Sequence, residues 1–361
     1  MRLQINTILS ELQSVRDPLT GMSLAKKFRE RDLEIKGDTV EVKLFPGYYP
    51  AEDKSNIEQQ ITNACTRAGA AQTRINYLDG IKSHVVQGGL KPIASIKNII
   101  AVASGKGGVG KSTTSVNLAL ALSQSGAKVG ILDADIYGPS QPLMLGVSGK
   151  PESRDGKSME PLEAHGVYVN SIGFLIDGDS PAIMRGPMVA QALEQLLRQT
   201  NWPDLDYLIV DMPPGTGDIA LTLAQKVPVV GAVIVTTPQD IALADARKGL
   251  RMFQKVNVPI LGVIENMSMH VCSNCGHVEP LFGHDGGRKM AQELEVPWLG
   301  SLPLTLAVRE QTDSGKPTVV SDPGSEAARS YRHIARKLAV TVSDLAVDMS
   351  GKFPSVVVKP L

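Results

Sequence analysis

The sequence contains few cysteines, no excess of either charge and no long apolar run. Three cysteines among 361 residues are too few for a disulfide scaffold and are typical of a reduced, cytoplasmic protein. Lys and Arg together number 37, as do Asp and Glu, so the formal net charge is zero, which argues against a large nucleic-acid-binding surface. No apolar stretch approaches the roughly 18 residues of a membrane span, and the first residues lack the apolar core of a signal peptide. We therefore expect a cytoplasmic protein that binds neither nucleic acid nor membrane.

Changes in pattern along the chain indicate two folded domains. Residues 1–85 combine helical and alternating segments, which predicts a small α+β domain. A run rich in glycine, QGGLKP, then interrupts the pattern, so we assign residues 86–96 to a linker. Residues 97–350 form the larger predicted domain, and residues 351–361 form a C-terminal tail.

The larger domain alternates between apolar runs and helical patterns. The apolar runs have the length and composition of strands that are buried on both faces. They are Ile99–Ala103, Lys128–Asp133, Tyr207–Asp211, Ala232–Thr236, Ile260–Ile264 and Val296–Gly300. This alternation predicts a Rossmann-like α/β fold, a mostly parallel sheet covered by helices with its ligand at the carboxyl ends of the strands.

A phosphate-binding loop follows the first of these strands. The segment GKGGVGKS satisfies the pattern GxxxxGK[ST] between an apolar strand and a helix, a context that makes an ordinary glycine-rich turn the weaker interpretation. Its glycines let backbone N–H groups surround phosphate oxygens, Lys111 would contact the β- and γ-phosphates, and the Ser112 hydroxyl would coordinate Mg²⁺. The predicted nucleotide-binding residues here are Gly105, Lys106, Gly107, Gly108, Val109, Gly110, Lys111, Ser112 and Thr113.

Two strands end in aspartates that would lie near this loop. Asp135 follows the strand that ends at Asp133, and Asp211 ends the strand before Met212-Pro213-Pro214-Gly215. An isolated aspartate at such a position is usually a cap. Two of them at the carboxyl edge of a phosphate-loop domain instead favour a role at the nucleotide.

Cys272 and Cys275 form a CxxC pair in an irregular segment after a core strand. Thiolates at this spacing fit one soft metal ion, but two cannot complete a four-thiolate site or hold a [4Fe–4S] cluster. A two-fold dimer would supply the other two. The alternatives are zinc held with His270, His277 or His284, a redox pair, and inert structural thiols.

The motifs together resemble a known family. KGGVGKST, with its early lysine Lys106, resembles the deviant phosphate loop of the MinD, ParA and nitrogenase-iron-protein NTPases. Over about residues 97–320 the chain resembles the Mrp/ApbC family of iron–sulfur cluster carrier ATPases. The strings that carry this resemblance are SGKGGVGKST, LDADIYGPS, MRGPM (which contains Arg185), DYLIVDMPPGTGD, TTPQDIALAD, GVIENMS, CSNC and VRE.

This resemblance implies an activity and roles for several residues. It implies slow ATP hydrolysis with Mg²⁺, a homodimer bridged by a [4Fe–4S] cluster, and delivery of that cluster to apo iron–sulfur proteins. Lys106 would act on the partner subunit's phosphates, Asp135 would position water and the Mg²⁺ shell, and Asp211 would reach Mg²⁺ through water.

The resemblance also implies contacts to the γ-phosphate and the base. The Gly215 N–H would meet the γ-phosphate, and Asn266 and Pro303 would flank adenine. The chain has no NKxD guanine signature, so we expect ATP.

Two alternatives to the cluster-carrier function stay open. A ParA- or MinD-like positioning ATPase would need a cationic face for DNA or membrane, which the helical pattern in Ile334–Met349 does not offer. The second alternative is a dimeric ATPase with a structural zinc ion at the CxxC pair. Residues 1–85 resemble the small domain that precedes many bacterial members, but Asp17-Pro18-Leu19 replaces the family's DPE, and we assign no metal or catalytic role there.

Overall fold

The computed structural model describes residues 3–175, 186–272 and 275–349. Arg185 of the MRGPM string and the predicted tail at 351–361 lie outside these ranges. Within them, no helix has both the length and the hydropathy that a membrane crossing requires.

The N-terminal residues form a small sheet with two helices on it. The elements are α1 (Ile5–Leu12), β1 (Leu33–Lys36), β2 (Thr39–Leu44), α2 (Lys54–Arg67) and β3 (Gln72–Tyr77). β2 lies in the centre, antiparallel to β1 and parallel to β3. Each helix turns one apolar face to the sheet, and Ile8, Ile57 and Cys65 are fully buried there. Cys65 is thus a core residue, as its place on an apolar helix face predicts.

The remaining described residues form an eight-stranded sheet flanked by helices. Its strand order is β13-β10-β9-β4-β8-β5-β7-β6, parallel except for the edge pair β6–β7. The elements are β4 (Ile96–Ser104), α3 (Lys111–Gln124), β5 (Val129–Asp133), α4 (Gln141–Leu145), β6 (Leu162–Ala164), β7 (Val167–Ser171), α5 (Gly186–Gln199), β8 (Leu205–Asp211), α6 (Asp218–Lys226), β9 (Gly231–Thr236), α7 (Asp240–Lys255), β10 (Ile260–Glu265), β11 (His270–Val271), β12 (Val278–Glu279), α8 (Gly286–Glu293), β13 (Trp298–Ser301), α9 (Leu306–Asp313), α10 (Thr318–Ser321) and α11 (Glu326–Ser343). The predicted α/β fold with a mostly parallel sheet is confirmed.

The strand order determines where the site lies. β4 sits between β8 and β9, so its carboxyl end meets that of β8 at one edge of the sheet. Residues of the central strands β5, β8 and β9 are buried throughout, which explains their continuous apolar sequences. The phosphate loop after β4 and the aspartates that end β5 and β8 are therefore neighbours.

Loops of the N-terminal unit contact α11, which in turn packs along α3. Arg336, only 7% exposed, lies 3.0 Å from Asp17 and 3.2 Å from Asp53, and it donates to the Pro50 carbonyl. The Tyr48 hydroxyl donates to the same Asp17 carboxylate at 2.7 Å. Four of these five residues, all except Asp53, are buried, so the contact is part of the interior.

The predicted linker, 86–96, is anchored at its start. The Gln87 side-chain amide donates to the carbonyls of Ala224 and Val227 at the end of α6. The division of the chain into domains at this segment stays a prediction.

Candidate functional site

The phosphate loop joins β4 to α3 and lines a cavity of about 210 Å³. Gly108 and Gly110 have φ angles of 80° and 78°, the left-handed region that glycine adopts without strain. No heavy atom lies within 4 Å of the position that a Cβ would take on Gly107 or Gly108. The loop thus presents open backbone to the cavity, as a phosphate cradle requires.

Gly105 serves a different purpose in the same loop. A Cβ on Gly105 would lie 2.1 Å from the backbone of Asp245 in α7. The glycine therefore lets the loop pack directly on the helix backbone. Lys106 beside it is half-buried and forms no ion pair with any described residue.

Lys111 and Asp211 form a buried ion pair below the loop. The Lys111 ammonium lies 2.6 Å from Asp211 Oδ1, and the two side chains are 6% and 0% exposed. Asp211 also accepts hydrogen bonds from Ser115 Oγ at 2.8 Å and Gln141 Nε2 at 2.9 Å. The structure therefore brings together the two residues on which the predicted phosphate and Mg²⁺ contacts depend.

Asp133 organises the loop that follows β5. Its carboxylate accepts hydrogen bonds from the backbone N–H groups of Asp135, Ser140 and Gln141 and from the Ser171 hydroxyl, at 3.0–3.2 Å. Complete burial and the nearby Asp211 charge raise the pKa of Asp133 to about 7. Asp133 supports the site rather than facing the cavity.

Asp135 is the carboxylate that lines the cavity. It is 9% exposed, and burial raises its pKa while the Lys111 charge opposes that shift. This position is compatible with its predicted role beside the phosphates.

Two polar atoms beside the cavity suit a bound nucleotide and its metal ion. Ser140 Oγ and Gln141 Oε1 are buried and have no hydrogen-bond partner among the described residues. Buried polar atoms are normally paired, so orphans of this kind mark a place for water, an ion or a ligand. The Ser112 side chain also lines the cavity. The residues present therefore fit a phosphate group with Mg²⁺.

Three residues predicted to contact the nucleotide do not line the cavity. The Gly215 N–H donates to the Ser104 carbonyl at 2.9 Å. The Asn266 side chain donates to the Val109 carbonyl at 2.9 Å, which places Asn266 directly against the phosphate loop. Pro303 is half-buried in the segment after β13. Contacts of these residues with nucleotide stay predictions.

The cysteine pair lies at the end of a short hairpin that the sequence does not reveal. β11 and β12 pair in antiparallel fashion, the Cys272 N–H donates to the His277 carbonyl at 2.9 Å, and the Gly276 N–H donates to the Cys272 carbonyl at 2.9 Å. Cys272 is half-buried and Cys275 is exposed. Six positions separate Cys272 from Asn266, so one short segment links the hairpin to the phosphate loop.

The histidines near the hairpin make other contacts. His270 faces the Leu304 carbonyl, His284 faces Asp285, and His277 lies 3.8 Å from Glu279. Across the described ranges, no group of three or more His, Cys, Asp or Glu side chains could hold a metal ion.

Sequence reasoning missed Gln141, which contacts both Asp211 and the Ser112 carbonyl. The only sequence signal is its place directly after LDADIYGPS. Ser115 was also missed, although it lies one helical turn after Lys111 and therefore on the same face of α3.

Comparison with known proteins identifies the family of this chain. The family model described as ParA, NUBPL iron-transfer P-loop NTPase, matches residues 95–339. The iron–sulfur cluster carrier protein of Pseudomonas fragi is 59% identical over 277 residues, covering 73% of this chain and 96% of the relative. That of Haemophilus influenzae is 47% identical over 339 residues, covering 93% and 91%. The mouse iron–sulfur cluster transfer protein NUBPL is 54% identical over 250 residues, covering 69% and 78%.

Solved structures show the same fold for the large sheet. A nucleotide-binding protein from Archaeoglobus fulgidus in complex with ADP has a TM-score of 0.57 and 36% identity, covering 65% of this chain and 91% of that one. The cell division ATPase MinD of Pyrococcus furiosus has a TM-score of 0.51 and 25% identity, covering 67% and 98%. With the phosphate loop, its two aspartates and the CxxC hairpin in one chain, these matches show that the protein belongs to the NUBPL-type family of iron-transfer P-loop NTPases, the family of the iron–sulfur cluster carriers.

Proposed function

We propose that the protein binds ATP with Mg²⁺, hydrolyses it slowly, and carries a [4Fe–4S] cluster between two subunits for delivery to apo iron–sulfur proteins. The observation that carries the proposal is the position of Cys272 and Cys275 at the end of an accessible hairpin, which supplies two thiolates while the third cysteine, Cys65, is buried elsewhere. A cluster of this type usually takes four thiolates, which two copies of the hairpin related by a two-fold axis would supply. Two accessible thiols also suit the reduced cytoplasm.

The surroundings of the hairpin support a second copy of the chain as the partner. Val278, Leu281 and Phe282 are 48%, 52% and 36% exposed, and Met269 just before the hairpin is 37% exposed. A group of exposed apolar side chains is typical of a surface that contacts another protein. In a homodimer these side chains would exclude water around the cluster.

The nucleotide site would work through five side chains. Lys111 would leave Asp211 and bind the β- and γ-phosphates. Ser112 would coordinate Mg²⁺ directly, and Asp211 would bind it through a water molecule. Bound Mg²⁺ supplies positive charge that neutralises the phosphates. Asp135 would orient the attacking water. Lys106, which has no ion-pair partner among the described residues, would reach the partner subunit's phosphates.

Adenine would be the base, held between Asn266 and Pro303. Since the Asn266 amide now donates to the Val109 carbonyl, base binding would replace or share that hydrogen bond. ATP binding would in this way act on the segment that leads to Cys272 and so change cluster binding. An Asn266→Ala variant should lose preference for ATP over GTP, measured by competition. Unchanged preference would remove Asn266 from base recognition.

Metal analysis tests the central claim. Iron, acid-labile sulfide and zinc are measured after anaerobic reconstitution of the wild type, the Cys272→Ser/Cys275→Ser variant and, as matched control, Cys65→Ala. We expect about four iron and four sulfide per dimer in the wild type and in the control, and neither in the double variant. All three should still bind nucleotide.

Other results would support other functions. Zinc without sulfide, lost in the double variant, would establish the structural-zinc ATPase. Absence of any metal would favour the positioning ATPase, which pull-downs with DNA and liposomes would then test.

A further inference from the structure

A groove runs along the free edge of the large sheet and is closed on one side by a turn of the small N-terminal unit. Two adjoining cavities, of about 220 Å³ and 450 Å³, share Trp298 and Lys337. Their walls are the turn 19–22 of the small unit, β13 with the preceding Pro297, and one face of α11. We call this the edge groove.

The length of the edge groove suits an extended peptide. α11 lines it from Glu326 onward with residues spaced about one turn apart, and the wall continues to Thr341. Fifteen helical residues span about 22 Å at about 1.5 Å each. An extended segment of about six or seven residues has the same length.

The charge of the edge groove is positive, although the chain as a whole is neutral. Arg329 and Lys337 face it, against the single carboxylate of Glu326. His333 also lines the groove, but burial and the Lys337 charge lower its pKa and favour the neutral imidazole. Among the described residues no carboxylate forms an ion pair with Arg329 or Lys337. Burial and the Arg288 charge lower the pKa of Lys337, so its ammonium would gain from an added carboxylate.

The edge groove also offers backbone and apolar contacts. Within the described sheet β13 pairs only with β10, so its outer edge is available to another extended chain. Trp298 is half-buried beside it, and Leu19 of the small unit is 42% exposed. His333 of α11 and Leu19 of the turn line the same cavity and so lie on its facing walls.

We propose that the edge groove binds an extended acidic segment of the recipient protein. Carboxylates of the segment would pair with Arg329 and Lys337, and an apolar side chain would contact Leu19 and Trp298. The identity of the partner as a cluster recipient rests on the proposed function, whereas the binding of an acidic segment does not. The small N-terminal unit would then contribute to partner binding, since its turn forms one wall of the edge groove.

The test uses the full-length protein and a fluorescein-labelled peptide of about eight alternating Asp and Val residues. Fluorescence anisotropy gives its affinity for the wild type, for Arg329→Glu/Lys337→Glu, and for the matched control Arg251→Glu/Lys255→Glu on α7. We expect about tenfold or greater loss with the groove variant and little change with the control. Raising the salt from about 50 mM to about 300 mM should weaken wild-type binding.

Several outcomes would overturn the proposal. Equal affinity in all three proteins, or equal loss in both variants, would show that the edge groove does not select the peptide. Tighter competition by a single-stranded oligonucleotide would show a nucleic-acid surface instead.

Cluster transfer separates this proposal from the function on which it rests. The groove variant should keep its iron content and ATPase activity but transfer cluster several-fold more slowly, and the peptide should inhibit wild-type transfer. Normal transfer by the variant, with peptide binding lost, would show that recipients dock elsewhere. If the protein carries no cluster but still binds the peptide through the edge groove, the acidic-segment site is supported and the proposed carrier function is refuted.

Discussion

Lys111 and Asp211 are paired at 2.6 Å in the interior, one hundred positions apart in sequence. Removing one partner of a buried ion pair leaves an uncompensated charge, which costs about 3–5 kcal/mol. Lys111→Ala should therefore lose nucleotide binding and also lower the free energy of unfolding, by about 3 kcal/mol because Ser115 and Gln141 still bind Asp211. Urea denaturation and ATP titration measure the two effects. Lys106→Ala is the control, and equal stability of the two variants would contradict the prediction.

Asp133 should give the stability a distinctive pH dependence. Its pKa rises from the ordinary value of 3.8 to about 7 in the folded protein. Between these values the folded state holds a proton that the unfolded state has released, so this group's contribution to stability falls as the pH rises from about 4 to about 7. In Asp133→Asn that contribution is absent. Thermal unfolding at several pH values should show a less negative slope for the variant, and parallel curves would refute the assignment.

The phosphate-loop glycines should differ in their tolerance of a methyl group. Gly105→Ala places Cβ against the Asp245 backbone, so we expect a loss of about 3 kcal/mol or more from overpacking. Gly107→Ala meets open space and should keep its stability while weakening nucleotide binding, because the methyl group enters the phosphate cavity. Denaturation and nucleotide titration compare the two. Equal stability would show that the loop and α7 are not packed as described.

The contact between the N-terminal unit and α11 should depend on Arg336. Arg336→Leu leaves Asp17 buried with Tyr48 and Thr20 but without a cation, which should cost about 3–5 kcal/mol. Limited proteolysis should then cut near the predicted linker faster than in the wild type. The neighbouring Arg332→Leu is the control. An uncut chain in the Arg336 variant would show that apolar packing alone holds the two parts together.

Much of the fold and of the nucleotide site follows from the sequence. The strand at Ile260–Ile264, for example, is buried on both faces and therefore has a continuous apolar sequence. β7 was missed because it carries polar residues such as Asn170 and Ser171 near the edge of the sheet. Gln141 was missed because a contact with Asp211, seventy positions away, leaves no local pattern.

The last helix begins earlier than the sequence pattern predicts, and the missing part carries functional candidates. The helical pattern at Ile334–Met349 lacks a cationic face, but α11 begins at Glu326, where the Ser325 hydroxyl accepts from the Ala328 N–H. The earlier start adds Arg329 and His333 to the face that carries Lys337. The alignment of Arg329 and Lys337 on one face of α11 therefore became visible only with the structure.

The pairing of Asp17 with Arg336 has a consequence for biosynthesis. The two residues lie 319 positions apart, so the ribosome adds nearly the entire chain between them. At about 5 to 20 residues per second, this takes roughly 16 to 64 seconds. During that interval Asp17 lacks the cation with which it is buried in the folded protein. The N-terminal unit is thus synthesised long before the helix that supplies the cation for its buried aspartate.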